Sequence, residues 1–318
     1  MELAAPTRGE IDAARGRIAG YAIRTPLVRW QGGDSEIWLK LETLQPIGSF
    51  KIRGARSALA LAPAGLLARG VFTASAGNMA QGVAWCARAM GIPCTVVVPD
   101  HAPAAKIEAV ERLGAAVVRV PFARWWRVLE ERQFEGLPGF FVHPVSDSGV
   151  IAGNGTIGLE IAEDLPGVDV VLVPYGGGGL SSGIAAALRS AAPNAKVIAV
   201  EPDTAAPLAA SLRAGKAMAI EYQASFVDGS GGKAVLAEMW PLAKTLLAGS
   251  VTVSLDEAAE AIRQLVIGAR VVAEGAGALA FAAARSGQFA GKKVVAVVSG
   301  GNIDPSRLTT ILQGGTPS

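Results

Sequence analysis

The sequence predicts an α/β fold built from two doubly wound units. Three observations carry that prediction. Short Val-rich runs alternate with amphipathic stretches over most of the 318 residues, the pattern of strands joined by helices. Several of those runs are continuously apolar, as strands covered on both faces must be. A run of four glycines joins one such strand to one such helix.

Taken in order, the strand candidates are 71–74 (VFTA), 94–98 (CTVVV), 115–120 (AAVVRV), 169–174 (DVVLVP), 196–201 (KVIAVE) and 292–298 (KKVVAVV). Leu180, Ile184, Ala187, Leu188 and Ala191 fall on one helical stripe. Asp256 to Arg270 is a second helix candidate, with Ser254 as its N-cap. One α/β unit covers residues 66–146 and the other runs from 147 to the end. Their junction, HPVSDSG at 143–149, is rich in chain breakers. The first 65 residues must dock onto one unit, and composition does not say which. No repeat of fixed period is visible.

Hydrophobic residues make up 51% and charged residues 18%, against roughly 25% charged in an average domain. The 39 Gly and 18 Pro fall below the share that marks low-complexity disorder. This is the composition of a packed globular protein with many special turns. The net charge is +2 and no dense Lys/Arg cluster exists, so a nucleic-acid binder is excluded. The longest uncharged stretch, Val170 to Leu188, contains Pro174 and five Gly and reads as strand, turn and helix rather than a membrane span. The N-terminus, MELAAPTRGE, has no apolar signal segment, and the expected compartment is the cytoplasm. Cys86 and Cys94 form neither a CxxC nor a disulfide framework and read as buried thiols. With only His101 and His143, a His-based zinc site is not expected.

Four segments carry chemistry. The first is Pro174-Tyr-Gly-Gly-Gly-Gly-Leu-Ser-Ser-Gly183. Four glycines let successive N–H groups converge on one point at a helix N-terminus, which favours a phosphate. A ligand-free βα turn needs fewer of them. A dinucleotide is one carrier of that phosphate, since Glu201 ends the next strand 22 residues after Gly179, where a ribose-binding acid belongs. No strict G-x-G-x-x-G fits, because the last position falls on Ser181 or Ser182. Gly179 to Gly183 also satisfies G-x-S-x-G, but no His follows His143, which argues against an α/β-hydrolase. Gly287 to Lys292 resembles a phosphate-binding Walker loop but is one residue short. The second segment is Gly48-Ser-Phe-Lys-Ile-Arg-Gly54. A lone Lys is usually a solvated charge; Lys51 follows Phe50 among apolar neighbours, where an amine loses its proton readily and becomes a nucleophile or base. The third is Thr73-Ala-Ser-Ala-Gly-Asn-Met-Ala-Gln-Gly82, where Ser75, Asn78 and the following helix N-terminus can hold a carboxylate; the plain alternative is an N-cap with a glycine turn. The fourth, Val298-Ser-Gly-Gly-Asn302, ends the last strong strand, where ligands of open α/β sheets bind.

Together, SFKIRGA, SAGNMAQG, GGGGL and SGGN resemble the serine/threonine dehydratase group of fold-type II pyridoxal-phosphate (PLP) enzymes, whose fold is tryptophan synthase β-like. The segments run in family order from Leu39-Lys-Leu-Glu42 to Ser299-Gly-Gly-Asn302. The resemblance implies a PLP-dependent dehydratase that removes the β-hydroxyl and the amine of a β-hydroxy amino acid, giving a 2-oxo acid and ammonia. It implies that Lys51 holds PLP as a Schiff base and serves, with Ser75, as a catalytic residue. Phe50 would pack beside the cofactor and Asn78 would bond its 3-hydroxyl. Gly176, Gly177, Gly178, Gly179 and Leu180 would cradle the phosphate, and Ser299 would face the pyridine nitrogen. Ser75, Ala76, Gly77, Asn78 and Met79 would line the substrate-carboxylate site. It also implies a large domain of residues 1–65 and 147–318, a small mobile domain of 66–146, and a homodimer.

The chain departs from the family pattern at Met79 (usually His), Val145 (usually Phe or Asn) and Asn154 (usually Gln). These departures suggest a pocket that accepts a bulkier or aryl β-substituent; neutral drift is the alternative. Ala76 stands where serine racemases carry a Ser, so racemisation should be minor. Glu201 and Ala205 match two ligands of the racemase metal site, but Pro207 replaces an Asp and supplies no side-chain oxygen. Even with Asp203 nearby, no tight Mg²⁺ or Ca²⁺ site is expected. Only 16 residues follow residue 302, too few for the regulatory domain of biosynthetic threonine deaminases, so isoleucine feedback is not expected. The competing functions are a PLP β-replacement synthase, an NAD-dependent oxidoreductase and a non-enzymatic sensor of a phosphorylated ligand.

Overall fold

The computed structural model describes residues 3–32 and 36–317. Among them are ten strands: β1 Leu27–Arg29, β2 Glu36–Leu41, β3 Val71–Ala74, β4 Cys94–Pro99, β5 Ala116–Val120, β6 Phe140–Phe141, β7 Val170–Pro174, β8 Lys196–Pro202, β9 Gly249–Val253 and β10 Lys293–Val298. They form a six-stranded sheet in the order β1-β2-β10-β7-β8-β9 and a four-stranded sheet in the order β5-β4-β3-β6. Every pairing is parallel except β1 with β2.

The six strands expected from apolar runs are present, their ends within one residue. The other four escaped that criterion for separate reasons. β1 and β6 are too short to show a pattern. β9 is only partly buried. β2 carries Lys40 in its buried half, and a charge in a buried strand contradicts the apolar rule unless its partner is known. That partner is Glu160, 2.6 Å away on the helix Ser148–Asp164.

The large sheet is covered on both faces. Val294, Ala296 and Val298 point into a core with the helices Leu255–Gln264 and Gly275–Arg285. Val295 and Val297 point the other way, toward the helices Ser148–Asp164 and Gly179–Ala191. This alternation is the period of two imposed by the pleat. The helix expected over 256–270 runs from Leu255 to Gln264 and finishes in a π-turn at Leu265–Ala269. Ser254 caps it in a reciprocal box with Glu257, satisfying donors at the helix start.

The helix Lys51–Leu61 links the two sheets. Its N-terminus is tied to the end of β10, through Phe50 N–H to Ser299 O at 3.0 Å and a bridge between Ser49 and Gly300. Its Ile52, Ala55, Ala58 and Leu59 pack into the core beneath the four-stranded sheet. No helix among the described residues is long and apolar enough to cross a membrane.

Candidate active site

The four segments singled out in the sequence meet at the C-terminal ends of β3, β7 and β10. Lys51 opens the helix Lys51–Leu61, half-buried, with its amine against Phe50, 5.2 Å from the ring centre. Lys51 Nζ donates to Pro144 O at 2.8 Å and forms no ion pair among the described residues. Burial lowers its pKa to about 8, with Glu274 pulling the other way. An amine near that value is partly unprotonated at neutral pH.

A dense buried network fixes the start of this helix. Arg53, fully buried, bonds both oxygens of Glu42 and of Glu160, Thr156 Oγ1 and the carbonyl of Ile23. Lys40 completes it, donating to Glu160 and to Thr25 O. Two cations balance two carboxylates, which is the condition for burying such charges.

The Pro144 carbonyl is held by His143. The His143 Nδ1 accepts the N–H groups of Val145 at 3.1 Å and Ser146 at 2.7 Å. Burial, helped by Arg132 and Lys51, pushes the imidazole pKa down to about 3. His143 is therefore neutral and acts as a loop anchor, a role that no local sequence signal marks.

The glycine run forms a cup. The N–H groups of Gly176 through Ser181 find no acceptor among the described residues, although the segment is buried or half-buried. Buried donors are almost always paired, so this run of free donors at a helix N-terminus is suited to an anion. Gly178 takes φ +93°, and a Cβ there would lie 3.0 Å from the Tyr175 ring. A Cβ on Gly177 would lie 2.5 Å from Val145 Cγ2. The cup thus excludes side chains from its own wall. Leu180 turns its side chain into the core and leaves only its N–H for a ligand.

On the facing side, Ser75 Oγ accepts the Gly77 N–H at 3.2 Å, shaping the loop after β3. Asn78 starts the helix Asn78–Met90. Its Nδ2 donates to Glu274 Oε1 at 2.7 Å, and its Oδ1 accepts from Asn302 Nδ2 at 2.7 Å. Glu274 has its pKa pushed up to about 7, by burial first and Asp228 second. Sequence reasoning missed this residue. Its segment, Glu274-Gly-Ala-Gly, lies after no strong strand and resembles an ordinary small-residue helix start. Ser299 directly follows β10 and is 3% exposed; the next residue, Gly300, lies against Glu274.

Two expectations are corrected. Met79 does not line the pocket with its side chain, which is 1% exposed and packs in the core under the four-stranded sheet. Its place as the second residue of an amphipathic helix turns the side chain inward. Asn154 is likewise buried in helix packing, beside Gly54 and Gly183, rather than in the site. Of the three departures that suggested an enlarged pocket, only Val145 touches the cup.

Glu201 does not serve a ribose. Both its oxygens are engaged at 2.8 Å by the N–H groups of Leu208 and Ala209, and one also by Ser250 Oγ at 2.7 Å. It caps the helix Pro207–Ala214, which removes the acid that a dinucleotide reading requires. Among the described residues no group of three or more His, Cys, Asp or Glu could hold a metal ion. Cys86 and Cys94 are buried free thiols.

A two-sheet α/β chain that sets a desolvated amine beside an anion cup on a helix N-terminus has the build of an enzyme with a covalently held, phosphorylated cofactor. The model of the family described as pyridoxal-phosphate dependent enzyme matches residues 18–300. An L-threonine ammonia-lyase of Thermotoga maritima is 45% identical over 284 residues, 88% of this chain and 70% of that protein. A catabolic L-threonine dehydratase of Staphylococcus aureus is 38% identical over 320 residues, 96% of this chain and 92% of that one. The structure of maize serine racemase superposes with a TM-score of 0.88 at 31% identity, covering 98% of each chain. The chain belongs to the pyridoxal-phosphate dependent enzyme family, with the fold-type II architecture, and its cofactor is PLP. The residues present fit that group. The cup offers free donors for a phosphate, and Lys51 offers an amine not committed to a carboxylate.

Proposed function

We propose that this chain is a dehydratase that releases ammonia and a 2-oxo acid from a β-hydroxy-α-amino acid, with serine and threonine as its substrate class. The observation that carries the reading is the pairing of a half-buried amine of pKa about 8 with the cup of unpaired donors at Gly176–Ser181. The named activities of the threonine-acting relatives support it. With Met79 and Asn154 turned into the core, the case for an enlarged pocket rests on Val145 alone.

In this reading Lys51 holds the cofactor and Phe50 packs beside it. Asn78 donates to its 3-oxygen, the N–H groups of Gly176, Gly177, Gly178, Gly179 and Leu180 hold its phosphate, and Ser299 faces its ring nitrogen. PLP supplies an electron sink for the bond broken at Cα. Once the substrate amine had taken its place on the cofactor, the freed Lys51 amine would be the base that takes the Cα proton, its lowered pKa matching it to neutral pH. Ser75 Oγ, with the N–H groups of Ala76, Gly77 and Met79 at the start of the helix Asn78–Met90, receives the substrate carboxylate. Ser299 is a neutral partner for the ring nitrogen, which favours prompt loss of the β-hydroxyl over slower competing chemistry. Ala76 offers no second proton donor, so racemisation is a minor reaction.

Residues 66–146 form the smaller domain in this proposal, closing over substrate, and 1–65 with 147–318 the larger. All four strands of the smaller sheet lie between Val71 and Phe141, which supports the division. A homodimer in the cytoplasm completes the reading. Light scattering on the purified protein tests the oligomer.

The activity is tested by ammonia release across β-hydroxy amino acids. Serine and threonine should outpace phenylserine, and Lys51→Ala should lose about 10³-fold or more of the rate. A Lys51→Ala enzyme retaining the wild-type rate overturns the proposal.

A further inference from the structure

Asn78 is gripped at both ends of its amide. Asn302 Nδ2 donates to its Oδ1 at 2.7 Å and Glu274 Oε1 accepts from its Nδ2 at 2.7 Å. A carboxylate only accepts hydrogen bonds, and a side-chain amide has one accepting and one donating end. Asn302 Nδ2 also donates to Ile47 O at 2.9 Å, so the Glu274 and Asn302 contacts together decide which end of Asn78 is NH₂. That NH₂ has a second proton, which no described protein group accepts.

Glu274 is itself held in place. Its N–H donates to Gly300 O at 3.0 Å. A Cβ at position 300 would lie 2.5 Å from Glu274 Oε1, so the glycine after Ser299 is what admits the carboxylate. Asp228, Lys106 and Lys51 are the charged groups around it. Asn78 belongs to the helix following β3, whereas Glu274 and Asn302 flank the end of β10. The amide is thus oriented by residues of the opposite sheet.

We propose that Glu274 is the positioning residue for cofactor binding: it fixes the Asn78 amide so that its free N–H points to the oxygen at the 3-position of the pyridine ring. This rests on the PLP reading above and adds the cause of Asn78's orientation. Without Glu274 the Nδ2 end loses its acceptor and the amide is held from the Asn302 end alone, so its free N–H is aimed less firmly at the cofactor's oxygen. Asn302 supports the same orientation from the other end.

The test is a double-mutant cycle on PLP affinity, measured by titrating apoenzyme with PLP at pH 8, where Glu274 is ionised, and following the visible absorption of the bound cofactor. Glu274→Ala should weaken PLP about tenfold, equivalent to about 1.4 kcal/mol. In an Asn78→Ala background the same substitution should change the affinity less than about twofold, because its effect runs through Asn78. Glu274→Gln, which keeps an acceptor, should stay within about threefold of wild type. The proposal is overturned if Glu274→Ala binds PLP like wild type, if its effect persists without Asn78, or if Gln fails as badly as Ala in a protein with wild-type circular dichroism. A wild-type protein that takes up no PLP on Lys51 instead removes the cofactor reading itself, and the positioning role falls with it.

Discussion

Replacing Arg53 by Met should destabilise the protein strongly and in a pH-dependent way. The guanidinium makes six hydrogen bonds and is fully buried with Glu42, while Glu160 is nearly so. The Glu42 carboxyl is held below the usual carboxylate range by Arg53, against the opposing effect of its burial. In the variant, Lys40 is the remaining cation of the network, and one carboxylate charge has no counterpart. Breaking a buried pair from one side costs about 3–5 kcal/mol. For a chain of this size that is roughly 4–8 °C in Tm. The stranded carboxylate takes up a proton more readily in the folded variant than in the unfolded chain. Protonation therefore relieves the penalty, and the deficit should shrink as pH falls from 7 toward 5. Thermal unfolding followed by circular dichroism at both pH values measures it. A Tm loss under about 2 °C, or one that does not change with pH, would refute the charge argument. Because Lys51 opens the same helix two residues earlier, PLP affinity should fall alongside stability.

Two further outcomes are expected. His143 has a folded pKa of about 3, against about 6.5 in an unfolded chain. The unfolded state thus binds the extra proton first, and stability should fall as pH drops below about 6.5, by about 2 kcal/mol down to pH 5. His143→Asn keeps an acceptor for the Val145 and Ser146 N–H groups without titrating, so urea unfolding of this variant should show that much less acid sensitivity. The opposite contribution of Glu274, whose raised pKa favours the folded state as pH falls from 7, is common to both proteins and cancels in the comparison. An equal slope in the two proteins counts against a neutral, buried His143. Gly178→Ala should weaken PLP binding at least about tenfold, since an L-residue at φ +93° is strained and its Cβ meets Tyr175. Gly215→Ala, also at positive φ but facing open space, is the control and should leave PLP binding unchanged.

Of the strands inside the two sheets, β3, β4, β7, β8 and β10 were readable as Val-rich runs because a strand buried on two faces is apolar at nearly every position. The cup was readable because four consecutive glycines have few other uses. Lys51, Asn78 and Ser299 stood out through the motifs that frame them. Other positions gave no such signal. Lys40 contradicted the apolar rule until its partner 120 residues away was in place. Met79 sits one residue from Asn78, yet the helical turn sends one side chain into a core and the other into the site.

Local chemistry, then, was settled along the chain: which segments are strands, where a phosphate can rest, which amine stands among apolar neighbours. Convergence was decided only in three dimensions. His143, Pro144 O, Glu274 and Asn302 meet Lys51 and Asn78 across as many as 224 residues of separation. Their roles come from contact distance, burial and shared charge, quantities that exist only once two sheets and the helix between them have packed.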